Sequence, residues 1–196
     1  MKRSLASTFL FLVLATPAWA GFDEGVKAYK QGDYATALRE MRPLAVDGDV
    51  RSQYGLGVMY ARGQGVPQDQ LEAVKWYRKA AEQGHADAQF NLAVMYAKGR
   101  GVARDDAAAV AWYRKAAEQG NTYAQTNLAN MYRRGQGVAE NLVEAHKWYN
   151  IAAMLGQRMA YNLRNRIANI MTPAQVAEAQ KSARAWMDAF KKRNPK

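Results

Sequence analysis

The sequence predicts an all-α protein in which antiparallel helix pairs stack into a solenoid. Three observations predict this fold: one 36-residue pattern occurs three times in the 196 residues, each copy carries two apolar stripes with helical spacing, and a glycine follows each stripe. A period of this length is typical of stacked helix pairs, because a single unit cannot bury its own apolar face. The copies cover residues 49–84, 85–120 and 121–156.

The second copy shows how each unit predicts two helices. Ala88, Leu92 and Tyr96 lie at positions i, i+4 and i+8, which share one face of a helix. A second stripe with helical spacing follows at Ala109, Trp112, Tyr113, Ala116 and Ala117. Gly99 and Gly120 come after the two stripes, where a residue without a Cβ can adopt the positive φ that ends a helix.

Polar residues mark the start of each second helix. Asp105 comes just before the second stripe, where its carboxylate can accept hydrogen bonds from unpaired backbone N–H groups. Asp69 and Asn141 hold the same place in the other copies, each with a glutamate three residues later, which is the spacing of a capping box. We therefore predict that these residues are helix caps rather than catalytic groups.

Three of the five tryptophans, Trp76, Trp112 and Trp148, follow the 36-residue period. Large side chains at a fixed repeat position are expected to fill the space between units, while the paired alanines let helices approach closely. We expect Trp112→Ala to lower the free energy of unfolding by about 3–5 kcal/mol, because it would leave a cavity in the middle of the array.

Taken together, the copies give the pattern A-x-x-x-L-[GA]-x-x-Y-x-x-G-x-G-V-x-x-[DN]-x-x-x-A-x-x-W-Y-x-x-A-A-x-x-G. This pattern resembles the Sel1-like repeat, a relative of the tetratricopeptide repeat. The resemblance implies a right-handed superhelix of antiparallel helix pairs that acts as an adaptor for other proteins. It also implies that the protein is not an enzyme, since such repeats usually have no catalysis of their own.

Residues 1–20 have the features of a secretory signal peptide. A short basic start precedes an apolar run, and Ala18 and Ala20 are the small residues of an A-x-A cleavage site, so the mature chain would begin at Gly21. The apolar run is shorter than the roughly 20 residues that a stable membrane-spanning helix needs. We therefore expect a periplasmic protein, or alternatively a secreted one, with no transmembrane segment in the mature chain. The sequence has no cysteine, which excludes disulfides and lipid attachment.

Residues 21–48 and 157–196 are expected to cap the two ends of a single domain that spans residues 21–196. The first segment resembles a tetratricopeptide unit, with a shorter connection between its helices than in the later copies. In the second segment, Thr172 and Gln175 have the spacing of a capping box, with a proline at the first helical position between them. We therefore predict that a last helix begins there and ends in a basic tail.

Positive charge is concentrated near the C-terminus. The net charge is +11 for the whole chain, and residues 157–196 contribute +7 of it, whereas residues 21–156 contribute only +2. Such a basic run is most often a solvated face that complements the helix dipole, and otherwise it attracts an acidic partner or an anionic surface. We do not expect nucleic acid as a partner, since the chain is predicted to be exported and has no recognisable nucleic-acid-binding motif.

In tetratricopeptide proteins, fixed positions on the first helix of each pair line a concave groove, and the resemblance carries these positions over to this chain. Unlike the framework residues, the residues at these positions differ from copy to copy, as expected either of a binding surface or of any solvated helix face. Arginine can bind carboxylates, and aromatic side chains supply apolar contact. The predicted groove residues are Arg51, Tyr54, Arg62, Phe90, Lys98, Tyr123, Asn130, Arg133 and Arg134.

Several motifs resemble catalytic or ligand-binding sites but do not predict one. The loops GQGV, GRGV and GQGV recur between helices in every copy, whereas a phosphate-binding loop would occur once, after a strand. His85 and His146 lie in different copies without cysteine or a second histidine at ligand spacing, so no metal site is expected. No arrangement of a nucleophile and a base is apparent. We therefore expect no catalytic residues and no cofactor.

The leading hypothesis is a non-catalytic exported scaffold whose basic, aromatic-containing groove holds part of another, acidic protein. One alternative is a periplasmic inhibitor, of the immunity type, that binds a secreted toxin or enzyme. The other is binding of an anionic envelope polymer or lipid through the basic C-terminal region.

Overall fold

The computed structural model describes residues 18–195, and ten α-helices make up most of this range. The helices are α1 (Ala18–Lys30), α2 (Tyr34–Val46), α3 (Val50–Arg62), α4 (Gln70–Glu82), α5 (Ala86–Lys98), α6 (Asp106–Glu118), α7 (Thr122–Arg134), α8 (Leu142–Met154), α9 (Arg158–Ala168) and α10 (Pro173–Arg193). No strand occurs between residues 18 and 195, and the predicted all-α class is confirmed.

Most of the predicted signal peptide lies outside the described residues. Its last three residues form the start of α1, so that Ala18 and Ala20 are both in the first turn of that helix. Cleavage after Ala20 therefore stays a prediction.

Each helix from α1 to α8 packs against the next one along the chain, as in a stack of helix pairs. In this order α1, α3, α5 and α7 are first helices of a pair, and α2, α4, α6 and α8 are second helices. The last helix departs from the order, because α10 packs against α8. Trp186 of α10 makes this contact, with its ring centroid 5.9 Å from that of Trp148 in α8. Within α10, the Trp186 ring also stacks on that of Phe190 at 4.8 Å.

Polar caps begin the helices at the predicted places. Asp69, Asp105 and Asn141 each accept a hydrogen bond of 2.9 Å from the backbone N–H three residues later. Thr172 and Gln175 form the complete capping box at the start of α10, in which both reciprocal hydrogen bonds are present. These side chains satisfy backbone donors that have no partner within the helix, and the prediction that they are caps is confirmed.

The glycine-rich loop between the two helices of a pair packs against the preceding pair. Gly101 has a φ of 66° and lies against the backbone of Gln70, the first residue of α4. Gly65 and Gly137 hold the same place against the first residues of α2 and α6. At all three positions a Cβ would lie closer than 3.0 Å to backbone atoms of the neighbouring pair. The loops therefore set the distance between neighbouring units, which is a structural role.

The three periodic tryptophans are not equally buried. Trp148 exposes 4% of its surface and Trp76 exposes 9%, whereas Trp112 is only partly buried. The Lys115 ammonium lies 4.1 Å from the centroid of the Trp112 ring, and Lys79 lies 4.3 Å from that of Trp76 in the same way. Trp112 also packs against the core clusters on both sides of it, so the cavity left by Trp112→Ala stays a prediction, and its partial exposure lowers the expected cost.

A ladder of buried glutamines, which we did not predict, joins consecutive units. Gln53, Gln89 and Gln125 recur every 36 residues, and each donates from Nε2 to a backbone carbonyl at the end of the preceding second helix. Gln83 and Gln119 in turn donate to the Oε1 atoms of Gln53 and Gln89 over 2.8 Å. The ladder ends at Gln125, whose Oε1 is buried without a partner, because a leucine occupies the next place in the series.

Both histidines are neutral structural groups in this fold. His85 is the N-cap of α5, where Nδ1 accepts a hydrogen bond of 3.3 Å from the backbone N–H of Ala88. Burial lowers the pKa of His85, and Asp87 opposes this only in part. His146 exposes 1% of its surface, and its pKa is lowered by burial and further by the positive charge of Arg164.

We expect the protein to lose stability as the pH is lowered from about 7.5 to about 5. The pKa of each histidine is lower in the folded state than its usual value of about 6.5, so the unfolded chain binds protons more readily over this range. The stability that the two neutral histidines contribute is therefore complete above pH 6.5, and it is lost as the pH falls below this value. Urea unfolding followed by circular dichroism at the two pH values measures the loss.

A matched control comes from the other copies, which hold Asn121 and Val110 at the positions of the two histidines. The variant His85→Asn/His146→Val keeps a side chain that can cap α5 but cannot be protonated at either position. We expect its urea midpoint to change less with pH than that of the native chain. The same decrease in both proteins would show that other groups cause the pH dependence.

Candidate binding groove

Three pockets follow one another between the first helices of neighbouring pairs. The N-terminal pocket, of about 360 Å³, lies between α1 and α3; the middle pocket, of about 300 Å³, lies between α3 and α5; and the C-terminal pocket, of about 340 Å³, lies between α5 and α7. Second helices supply the floor, with Met41, Tyr77 and Tyr113 lining the three pockets in turn. Together the pockets form one groove that runs along the first helices.

Three of the predicted residues, Arg51, Tyr54 and Arg62, line the N-terminal pocket. Helix α1 completes this pocket: the Arg51 guanidinium lies 4.0 Å from the centroid of the Phe22 ring, and Nη1 of Arg62 donates a hydrogen bond of 3.3 Å to the Tyr29 hydroxyl. Tyr54 and Arg62 also line the middle pocket, so they connect the two. The residues of α1 were absent from our prediction because the shorter connection in the first unit breaks the 36-residue register.

Three other predicted residues, Lys98, Asn130 and Arg134, line the C-terminal pocket. This pocket also contains an ion pair, in which Arg104 Nη2 lies 2.6 Å from the carboxylate of Asp106. Arg104 is in the loop between α5 and α6, outside the helix positions from which we predicted the groove. The C-terminal pocket therefore combines amide groups with basic side chains.

The remaining aromatic residues lie next to one another. The ring centroids of Phe90 and Tyr123 are 6.2 Å apart, and Tyr123 exposes 64% of its surface. Tyr54 is more enclosed, because its ring stacks on that of His85 at a centroid distance of 4.6 Å. Tyr123 is thus the aromatic side chain with the most surface left for contact with another molecule.

Tyrosines and asparagines of the groove floor form pairs that we did not predict. Asn91 and Tyr77 line the middle pocket together, and Asn127 and Tyr113 line the C-terminal pocket, one unit further along. Burial raises the pKa of both tyrosines, to about 12 for Tyr113. Both therefore stay neutral and can donate or accept hydrogen bonds. The sequence contained a signal for these pairs, since both the tyrosine and the asparagine recur after 36 positions.

Basic side chains in the groove differ in whether a carboxylate neutralises them. Arg51 Nε lies 3.7 Å from the carboxylate of Asp49. Between residues 18 and 195, no carboxylate lies within 4.0 Å of Arg62, Lys98, Arg133 or Arg134. Arg133 is partly buried, whereas the other three are exposed. The groove therefore carries positive charge that the described part of the protein does not neutralise.

The repeated pattern behind this groove has a match among known families. The Sel1 repeat matches three consecutive segments, residues 50–85, 86–121 and 122–157, which together cover more than half of the chain. The chain belongs to the Sel1 repeat family. The matched segments begin one residue later than the repeats that we predicted.

Solved structures of Sel1 repeat proteins have the same fold. The crystal structure of a Sel1 repeat protein from Oxalobacter formigenes is 37% identical, has a TM-score of 0.71, and matches over 73% of this chain and 59% of that chain. A protective antigen present in uropathogenic Escherichia coli strains is 27% identical with a TM-score of 0.63, over 89% of this chain and 46% of that chain.

A third structure shows similarity of fold alone. Cysteine rich protein B of Helicobacter pylori is 19% identical with a TM-score of 0.55, over 66% of this chain and 96% of that chain. These neighbours confirm the predicted superhelix of helix pairs.

One curated relative shares part of the repeat region. An exopolysaccharide production negative regulator of Rhizobium leguminosarum bv. viciae is 45% identical over 56 residues, which are 29% of this chain and 21% of that protein. The present chain thus matches about a fifth of that relative and 59% of the Oxalobacter protein, which is less than two thirds in both cases.

Membership of the Sel1 repeat family indicates a general class of function. Sel1 repeat proteins mediate protein–protein interaction, and the fold is typically a non-catalytic scaffold. In the described part of this Sel1 repeat chain, no helix combines the length and apolar character that crossing a membrane requires.

Proposed function

We propose that this Sel1 repeat protein is an exported, non-catalytic adaptor that holds an acidic segment of another protein in its groove. The observation that carries the proposal is the set of exposed basic residues, Arg62, Lys98 and Arg134, that have no carboxylate within 4.0 Å among residues 18–195. An acidic ligand would neutralise this charge. Tyr123 and the partly exposed Phe90 would add apolar contact.

Export is the second part of the proposal. The basic start, the apolar run and the A-x-A site at Ala18 and Ala20 support a signal peptide that would deliver the protein to the periplasm, or alternatively to the medium. A chain without cysteine needs no disulfide to fold in that compartment. The partner would then be another protein of the cell envelope or an extracellular protein.

We expect reversal of the groove charges to weaken capture of the partner. In the test, the full chain is immobilised and envelope extract is passed over it at low salt, in parallel with the variant Arg62→Glu/Lys98→Glu/Arg134→Glu. Because acidic segments are then repelled, we expect at least about tenfold weaker retention, and native binding should weaken as salt rises. A partner that both proteins retain equally would contradict the groove as the binding site.

The chain offers a control with the same change in charge. Lys191, Lys192 and Arg193 lie in the last turn of α10 and are exposed, far along the chain from the groove residues. The variant with glutamate at these three positions should retain the partner as the native chain does, if the groove is the site. Equal loss in both variants would mean that overall charge, not the groove, governs capture.

The same tail variant tests a second candidate function. The exposed basic end of α10 favours contact with an anionic polymer or lipid, since three adjacent cations lie at the C-terminus of a helix. This candidate predicts that vesicles containing anionic lipid retain the native chain and the groove variant but release the tail variant. Retention of all three proteins, or of none, would exclude it.

A further inference from the structure

The N-terminal pocket differs from the other two pockets in its floor. Met41, Tyr77 and Tyr113 are spaced by 36 residues and occupy the same place in successive units. The middle and C-terminal pockets thus have a tyrosine hydroxyl at the floor, whereas the N-terminal pocket has a thioether. A methionine offers no hydrogen-bond donor and can change rotamer to fit apolar groups of different shape.

A second substitution accompanies the first on the neighbouring helix. Asn91 of α5 and Asn127 of α7 line the same pockets as the floor tyrosines, and the equivalent place on α3 is Gly55. A Cβ at Gly55 would lie 2.9 Å from the Met41 sulfur, so the missing side chain is what makes room for the thioether at the floor. The Tyr–Asn pair of the other units is therefore replaced by a Met–Gly pair, which makes the floor of this pocket less polar.

The walls of the N-terminal pocket are also largely apolar. Phe22 and Val26 of α1 and Val58 of α3 line it, and all three are partly buried. Its volume of about 360 Å³ is at the lower end of the range for ligand pockets. One large apolar side chain, with part of the adjoining backbone, is the kind of group that such a space accepts.

The rim of this pocket is basic. Lys30 and Arg62 both line it and are exposed, and neither has a carboxylate within 4.0 Å among residues 18–195. Arg51, the third cation of the rim, is held between Phe22 and Asp49. A ligand that matches both features has an apolar group to fill the pocket and carboxylates next to it.

We propose that the N-terminal pocket is an anchor site that holds one large apolar side chain of an acidic protein segment, while Lys30 and Arg62 bind the carboxylates beside it. This inference rests on the proposed adaptor function. It adds that the groove selects partners that have a large apolar side chain beside their acidic residues. The Met41–Gly55 pair confines this selection to the first pocket, since the Tyr–Asn pairs make the other floors polar.

Two synthetic peptides test the anchor site. Both carry the same acidic residues around a central position, which is phenylalanine in one peptide and alanine in the other, and both bear the same fluorophore. Binding to the full chain is measured by fluorescence anisotropy at low salt. We expect the phenylalanine peptide to bind about 10–100-fold more tightly, since burial of one aromatic side chain contributes a factor of this size.

Variants that use the residues of the other units provide the matched comparison. Met41→Tyr/Gly55→Asn converts the floor to that of the middle pocket, and we expect the ratio of the two affinities to fall to about one. Arg62→Gln removes a rim charge only, so it should weaken both peptides and leave the ratio unchanged. Circular dichroism and urea unfolding check that each variant is folded, and Gly55→Asn alone serves if the double variant is not.

The outcomes separate this inference from the proposed function. Equal affinity of the native chain for both peptides, or a preference that survives Met41→Tyr/Gly55→Asn, would overturn the anchor site and leave the groove proposal standing. Failure to bind either peptide would also overturn it, while the adaptor function would still be decided by capture from envelope extract. Binding of dodecanoate without any preference between the peptides would assign the pocket to a small amphiphile instead.

Discussion

Gly101→Ala is expected to lower the free energy of unfolding by about 2–5 kcal/mol, because two costs add at this position. The φ of 66° is in the left-handed region, which a residue with a Cβ adopts only with strain. In addition, the new methyl group would lie closer than 3.0 Å to the carbonyl of Gln70, and this backbone atom belongs to the first turn of α4. The two neighbouring units would have to move apart, which urea unfolding would measure as a lower midpoint.

Gly84→Ala is the matched control for this variant. Gly84 also has a positive φ, 94°, but nothing lies within 4 Å of the place where its Cβ would be. This variant therefore bears only the backbone strain, of about 1–2 kcal/mol. If both variants were destabilised equally, the close approach between the loop and the preceding unit would have no measurable role.

Trp148→Ala is expected to lower the free energy of unfolding by about 3–5 kcal/mol, the typical cost of truncating a buried tryptophan. Trp148 exposes 4% of its surface and packs against Trp186 of α10, so its removal leaves a cavity and also weakens the contact that holds the last helix. Far-UV circular dichroism in urea measures the effect without relying on tryptophan fluorescence, which the substitution itself changes.

Trp112→Ala is the comparison, since Trp112 occupies the same repeat position but is only partly buried. We expect it to cost clearly less than Trp148→Ala, because the surrounding solvent can fill part of the space that the ring leaves. A loss as large as that of Trp148→Ala would mean that the partial exposure of Trp112 does not reduce its contribution to stability.

Local features of the fold were predictable because they depend on neighbours in the sequence. The caps at Asp69, Asp105 and Asn141 were predicted correctly from a polar residue placed just before an apolar stripe. The capping box at Thr172 follows the same logic. Such hydrogen bonds join atoms three residues apart, so the local sequence contains everything they need.

The candidate groove was predictable only in part. Positions carried over from the family pattern placed Arg51, Tyr54 and Arg62 at one pocket and Lys98, Asn130 and Arg134 at another. The contributions of α1, of the second helices and of the loops were missed, because they reach the groove through contacts between units. The ion pairs of Arg51 with Asp49 and of Arg104 with Asp106 join residues only two positions apart. That Arg62, Lys98 and Arg134 lack such a partner depends on every element packed around them, which the sequence does not show.

The sequence by itself determined the helix pairs, their number within the repeats, their caps and the family, because a 36-residue period repeats the same local interactions and requires neighbours to bury the apolar stripes. Only the tertiary structure decided which equivalent residues have different environments. Trp112 and Trp148 share a repeat position but differ in burial, since α10 covers α8. Met41 and Gly55 form a pocket only because packing brings α2 and α3 together, which no spacing along the chain specifies.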